Sequence, residues 1–100
     1  IFDTDVKLFK PSRHEDKVPH MGWNTLTHVQ SDLFKGFTKE EFVYFVHSFY
    51  VPLNEFTAAQ TEYILPYSSA LHKDNFYATQ FHPEKSGAVG ERILKNFLEL

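Results

Sequence analysis

The sequence predicts an α/β domain, a strand-rich mixed sheet followed by one clear C-terminal helix. Three observations carry this expectation. Short apolar or alternating runs, bounded by Gly, Pro, Asn and Asp, recur from Val6 to Phe81 in the manner of strands and turns. Only the last dozen residues switch to helical spacing. One hundred residues with 42% hydrophobic and 17% aromatic content suffice for one modest core, so residues 1–100 are expected to belong to a single domain.

Val6 and Leu8, alternating with Lys7 and Phe9, read as a short first strand closed by the polar stretch Pro11 to Asp16. Met21 to Val29 carries β-branched and aromatic residues between Gly22 and the turn-like Ser31-Asp32, a second strand. Lys35-Gly36-Phe37-Thr38 reads as a turn. Phe42 to Val51 is nearly continuous in aromatic and β-branched residues, the pattern of a strand buried on both faces at the centre of a sheet. Thr57 to Leu65, Ser69 to His72 and Phe76 to Phe81 are three more strands, the last two joined by the hairpin signal Lys73-Asp74-Asn75. The helix follows: Val89, Ile93 and Phe97, with Leu94 and Leu98, fall on one face opposite Glu91, Arg92, Lys95 and Glu99. Ser86 stands where an N-cap is expected.

Composition narrows the function. A net charge of −3 without a Lys/Arg cluster supplies no electrostatic footprint for nucleic acid or an anionic membrane surface. No apolar run is long enough to span a bilayer, which reads as a soluble chain. The absence of cysteine removes disulfides and thiolate metal sites and fits a cytoplasmic setting. The six histidines show no metal-ligand spacing, the serines lack a G-x-S-x-G context, and no phosphate-binding glycine loop occurs. Neither a metal nor another cofactor is expected.

The stretch Gln80-Phe81-His82-Pro83-Glu84-Lys85-Ser86 is the most informative. In an extended segment His82 and Glu84 point to one side, and Pro83 between them fixes a torsion and ends the strand's hydrogen bonding. A carboxylate that accepts the imidazole N–H sets the tautomer and frees the other ring nitrogen as a base. A surface turn with an incidental charge pair would use the same residues, and pattern alone leaves both readings open. Trp23, beside Gly22 and Asn24, reads first as packing, with a pocket or interface role as its alternative. His47, inside the most apolar strand, reads as a core residue with its hydrogen bonds satisfied.

Three segments together resemble the C-terminal half of a class I glutamine amidotransferase domain: Lys17-Val18-Pro19-His20-Met21-Gly22-Trp23-Asn24, Tyr44-Phe45-Val46-His47-Ser48-Phe49-Tyr50, and Lys73 through Ser86. Q-F-H-P-E is shared by many members of that class. P-H-M-G-W-N followed by Y-F-V-H-S is similar, more narrowly, to the glutaminase subunit of imidazole glycerol phosphate synthase, in histidine biosynthesis. The resemblance runs over nearly the whole chain and implies a Cys-His-Glu triad with His82 and Glu84 as its second and third members. It also implies that the main chain at Ser48 and Phe49 touches substrate glutamine, and that Trp23, Tyr44 and Lys85 face a partner or an ammonia passage. Relatives can carry Tyr at position 49, a change of little consequence for a main-chain contact. The implied partner is a (β/α)₈-barrel cyclase, forming a heterodimer that receives ammonia. The nucleophilic cysteine, the oxyanion loop and several central parallel strands would lie upstream, so the hundred residues are expected to be inactive alone. Two other readings stay open: a non-catalytic amidotransferase-like interaction module, and the glutaminase of another class I branch, against which P-H-M-G-W-N argues.

Overall fold

The computed structural model of the protein describes residues 6–10, 18–37 and 41–100. Seven strands and one α-helix occur among the described residues. Strands β1 (Lys7–Leu8), β2 (His20–Leu26), β3 (Glu41–His47), β4 (Phe49–Tyr50), β5 (Thr57–Tyr63), β6 (Leu65–Lys73) and β7 (Phe76–Thr79) precede helix α1 (Gly87–Leu98). Short 3₁₀ turns cover Asp32–Phe34 and Pro83–Lys85. The α/β class, the abundance of strands and the C-terminal helix are as the sequence predicts. The loop Pro11–Asp16, Lys17 and Thr38 lie outside the described residues.

The strands form three antiparallel ladders, β1–β4, β2–β3 and β5–β6–β7. Isolated bridges knit them together: Thr27 pairs with Gln60, and Val51 with Ser68. The β2–β3 register runs from His20 opposite His47 to Leu26 opposite Glu41. Period-two alternation then sends His20, Leu26, Val43 and Phe45 into the core and Met21, Trp23 and Phe42 outward.

Strand β3 departs from expectation. It is not buried on both faces, since Phe42 is 57% exposed, and among the described residues a strand, β2, flanks one edge alone. Its second edge receives the turn after β7, and the apolar stretch breaks at Ser48, after which β4 begins. The expected strand Thr57–Leu65 is also divided, because Ile64 takes a positive φ of 67° and turns the chain from β5 into β6. A β-branched residue rarely adopts that conformation, so no turn signal stands in the sequence there. Asp74, with φ of 54°, makes the expected β6–β7 hairpin turn. Strand β7 stops at Thr79, two residues short of Phe81.

The core gathers Val43, Phe45, Tyr50 and Tyr67 from the strands, Phe9 and Phe81 from just beyond β1 and β7, and Ile93 from α1. Phe9 stacks on Tyr50 at 4.8 Å and meets Tyr67 edge-on at 5.5 Å, arrangements favoured by the ring quadrupoles. Helix α1 buries Gly90 and Ile93, with Val89 partly covered, but Leu94 and Phe97 are half-exposed and Leu98 is 82% exposed. The buried stripe is therefore rotated from the expected face. Asn96 explains the rotation: its side-chain amide donates to the carbonyls of Leu33 and Lys35, both at 3.0 Å, and docks this side of the helix on the first 3₁₀ turn.

Candidate active site

His82 and Glu84 meet, although not in the expected way. The chain is extended only at His82, with φ −101° and ψ 99°, and Pro83–Lys85 then coils into a 3₁₀ turn that starts with proline. This turn, rather than an extended i, i+2 pair, brings Nδ1 of His82 to 3.3 Å from Oε2 of Glu84. The contact is open to solvent, with side chains 37% and 60% exposed, so its weight lies in orientation more than in stability. With Nδ1–H donated to the carboxylate, Nε2 keeps its lone pair and can take a proton.

The backbone beneath the imidazole is held from both sides. The His82 N–H donates to the carbonyl of Tyr44 at 2.9 Å. In the other direction, the Tyr44 N–H donates to Oγ of Ser86 at 2.9 Å, and the Ser86 hydroxyl donates to the carbonyl of His82 at 2.6 Å. A buried hydroxyl thus stands in the ladder between two main chains that do not bond directly in that direction. Ser86 does occupy the N-cap position of α1, yet it makes no side-chain cap bond, because its hydroxyl is committed to this bridge. The corner also depends on two glycines. Gly87 takes a φ of 60° to start the helix. A Cβ on Gly90 would sit 1.8 Å from the carbonyl oxygen of Pro83.

Ser48 and Phe49 lie at the carboxyl end of β3, four and five residues beyond Tyr44. The Ser48 carbonyl accepts the N–H of Phe9 at 3.0 Å, and Nδ1 of His47 donates to the Phe49 carbonyl at 2.7 Å. Phe49 turns its ring outward, leaving its main chain as the part fixed in place. Burial holds the His47 imidazole below its usual pKa; the carbonyl of Phe49 works against that, and the charge of His82 adds to the lowering.

Trp23 and Tyr44 are cross-strand partners on the outer face of β2–β3, with rings edge-to-face at 5.8 Å and Trp23 54% exposed. The packing role first read for Trp23 does not hold, because β2 turns it away from the core. An apolar groove of about 440 Å³ runs beside it, lined by Trp23, Phe42, Ser86, Gly87 and Val89 among others. Lys85 is exposed on the His82 turn. Residue types alone did not mark Gly90, Ser86 as a bridge, or the buried His20 and Tyr67. The signal for the first two is their spacing from His82, since a turn that folds back on a helix needs a small residue one helical turn on.

Among the described residues no cluster of His, Asp or Glu could hold a metal ion, and no helix is long and apolar enough to cross a membrane.

The family model of class I glutamine amidotransferases matches residues 5–100. The chain is 77% identical over its whole length to a protein of Bacteroides fragilis strain YCH46 named imidazole glycerol phosphate synthase subunit HisH, and 74% identical to its namesake in Bacteroides thetaiotaomicron. A namesake in Photorhabdus laumondii is 53% identical over 91% of the chain. The chain spans about half the length of these curated relatives, 51% of the first two and 46% of the third. A crystal structure of a putative GMP synthase subunit from Thermoplasma acidophilum superposes with a TM-score of 0.72 at 23% identity, covering 97% of this chain and 48% of that one, a likeness of fold.

Proposed function

The chain belongs to the class I glutamine amidotransferase family, and from that premise we propose that it is the proton-handling half of a glutaminase of the imidazole glycerol phosphate synthase type. The observation that carries the proposal is the His82–Glu84 contact on a turn whose main chain is tied on both sides to β3. Such pre-positioning is what a general base requires, and an incidental surface pair would not need it.

No cysteine occurs in these hundred residues, so the thiolate comes from another segment. It attacks the side-chain amide carbon of glutamine. As the carbon–nitrogen bond breaks, His82 passes the proton that its Nε2 took from the thiol to the departing nitrogen, which leaves as ammonia. His82 then takes a proton from the water that attacks the thioester, and the carbon–sulfur bond breaks to release glutamate and the thiolate. Glu84 holds the ring and offsets its charge while it is protonated. The main chain at Ser48 and Phe49 contacts the bound glutamine. Trp23, Tyr44 and Lys85 face a (β/α)₈-barrel cyclase, the partner that consumes the ammonia; the names of the relatives and the outward Trp23–Tyr44 pair support this. The protein is one domain with its nucleophile-bearing part, to which residues 1–100 contribute the C-terminal portion.

The test combines this chain with the nucleophile-bearing half of a close relative and measures ammonia released from glutamine. Hydrolysis is expected, falling at least about 100-fold in His82→Ala. Hydrolysis untouched by that substitution would refute the proposal, and partner binding without hydrolysis in the unaltered pair would support an interaction module instead.

A further inference from the structure

Behind the site lies a buried polar cluster that the proposed chemistry does not use. Nδ1 of His20, Nε2 of His47 and the hydroxyl of Tyr67 stand 3.1 to 3.3 Å from one another, joining β2, β3 and β6. His20 is 3% exposed and Tyr67 fully buried. The His20 ring is clamped face-to-face between Phe45, at 4.8 Å, and Tyr63, at 3.9 Å. Three mutually bonded polar groups in an apolar core are costly unless their protons are in order.

The order follows from one end. Nδ1 of His47 lies 2.7 Å from the Phe49 carbonyl, which can only accept, so the proton of His47 is on Nδ1. Nε2 of the neutral ring is then an acceptor, and the hydroxyl of Tyr67, its nearer neighbour at 3.1 Å, donates to it. The Tyr67 oxygen accepts in turn from Nδ1–H of His20 at 3.3 Å. Nδ1 of His20 lies at the same 3.3 Å from Nε2 of His47, so its proton faces both acceptors, while those of Tyr67 and His47 each have one partner. Burial supports the uncharged state throughout: it pulls His20 down to about 4, with His47 adding to the effect, lowers His47 and raises Tyr67.

We infer that His20, Tyr67 and His47 form a directional, uncharged hydrogen-bond chain that positions the main chain at Ser48–Phe49 for substrate, which makes them positioning residues. The inference rests on the glutaminase reading for its substrate, though the chain itself does not. The apolar run breaks at Ser48; Phe49 opens β4 opposite Leu8, and the imidazole of His47 adds a constraint on its carbonyl from the side. An uncharged His47 also keeps a second cation away from His82 when the latter is protonated.

Two measurements on the assembled amidotransferase test this. Nitrogen-15 spectra of the histidine rings should show His47 at pH 7 as the neutral Nδ1–H tautomer, with Tyr67→Phe shifting the ring signals of both His20 and His47. An imidazolium, an Nε2–H tautomer or unshifted signals would overturn the chain whether or not the protein hydrolyses glutamine. In kinetics, His47→Leu should raise the KM for glutamine about tenfold while kcat stays within about threefold. His47→Asn, which keeps an N–H near the Nδ1 position, should hold KM within about threefold. Equal KM values for the two variants would overturn the positioning role, while a His82→Ala variant in the same series reports separately on the glutaminase reading.

Discussion

Gly90→Ala is the sharpest perturbation of the His82 corner, because general helix propensity and the local geometry demand opposite results. In a helix interior alanine is favoured over glycine by about 1 kcal/mol. Here the added methyl carbon would lie 1.8 Å from the Pro83 oxygen, 2.7 Å from the Pro83 carbonyl carbon and 3.0 Å from Cβ of Ser86. Carbon and oxygen approach no closer than about 3.3 Å without bonding, so the Pro83 turn must retreat by about 1.5 Å. Overpacking of this kind costs about 1–3 kcal/mol, and the retreat also stretches the Ser86 bonds to Tyr44 and His82, each contributing about 1 kcal/mol. The clash wins, for a net loss of about 1–3 kcal/mol.

The functional loss should be larger than the loss of stability. His82 and Glu84 flank the residue that moves, and misplacement by about 1 Å can cost about 100-fold in rate. Urea unfolding and ammonia release, measured on the same preparations, separate the two quantities. Gly87→Ala is the control. Its φ of 60° makes alanine strained by about 1–2 kcal/mol, but no atom lies within 4 Å of the new Cβ, so Pro83 is not pushed. A Gly90→Ala protein that is as stable as its parent and turns over glutamine normally would show that the helix does not press on the His82 turn.

Ser86→Ala strands the Tyr44 N–H and the His82 carbonyl without their shared partner, so a loss of about 2–4 kcal/mol in urea unfolding is expected, and a loss below about 0.5 kcal/mol would refute the bridge. The folded chain binds fewer protons at His20 than the unfolded one between pH 6.5 and about 4, so its contribution is intact above pH 6.5 and falls by about 3 kcal/mol as the pH drops through that window. Urea titrations across that range should lose this component of the slope in His20→Phe; an unchanged slope would contradict it. Trp23→Ala should change stability by less than about 1 kcal/mol while weakening binding to the proposed cyclase partner at least about tenfold by calorimetry. Unaltered affinity would remove Trp23 from the interface.

The sequence disclosed what side chains encode. The helix, the hairpin at Asp74 and the pairing of His82 with Glu84 were legible because periodicity, turn chemistry and short spacing are local properties. The dyad was expected through an extended segment and is built through a 3₁₀ turn; proline permits both, and nothing between His82 and Glu84 distinguishes them. Ile64 hid a turn because its conformation is dictated by the hairpin around it rather than by its own preference. The face of α1 was misjudged for a related reason, since Asn96 is polar in any pattern and became a docking group only when two free carbonyls lay opposite it.

Strand β3 shows why an apolar run can mislead about burial and still mark the centre of the proposed site. Its aromatic residues read as core on both faces, yet the outer face stands open and the second edge carries a turn. What makes β3 central is its main chain. Tyr44 exchanges hydrogen bonds with the His82 corner, directly through its carbonyl and by way of Ser86 through its N–H, while three residues along the same strand His47 fixes the carbonyl of Phe49. The side chain of Tyr44 meanwhile points outward beside Trp23. One strand therefore sets the distance between His82 and the expected substrate contact, and its outer surface lies one backbone bond from His82. Main-chain bonds of this kind leave no trace in residue identity, so the sequence could suggest candidate members of a site but not the strand that aligns them.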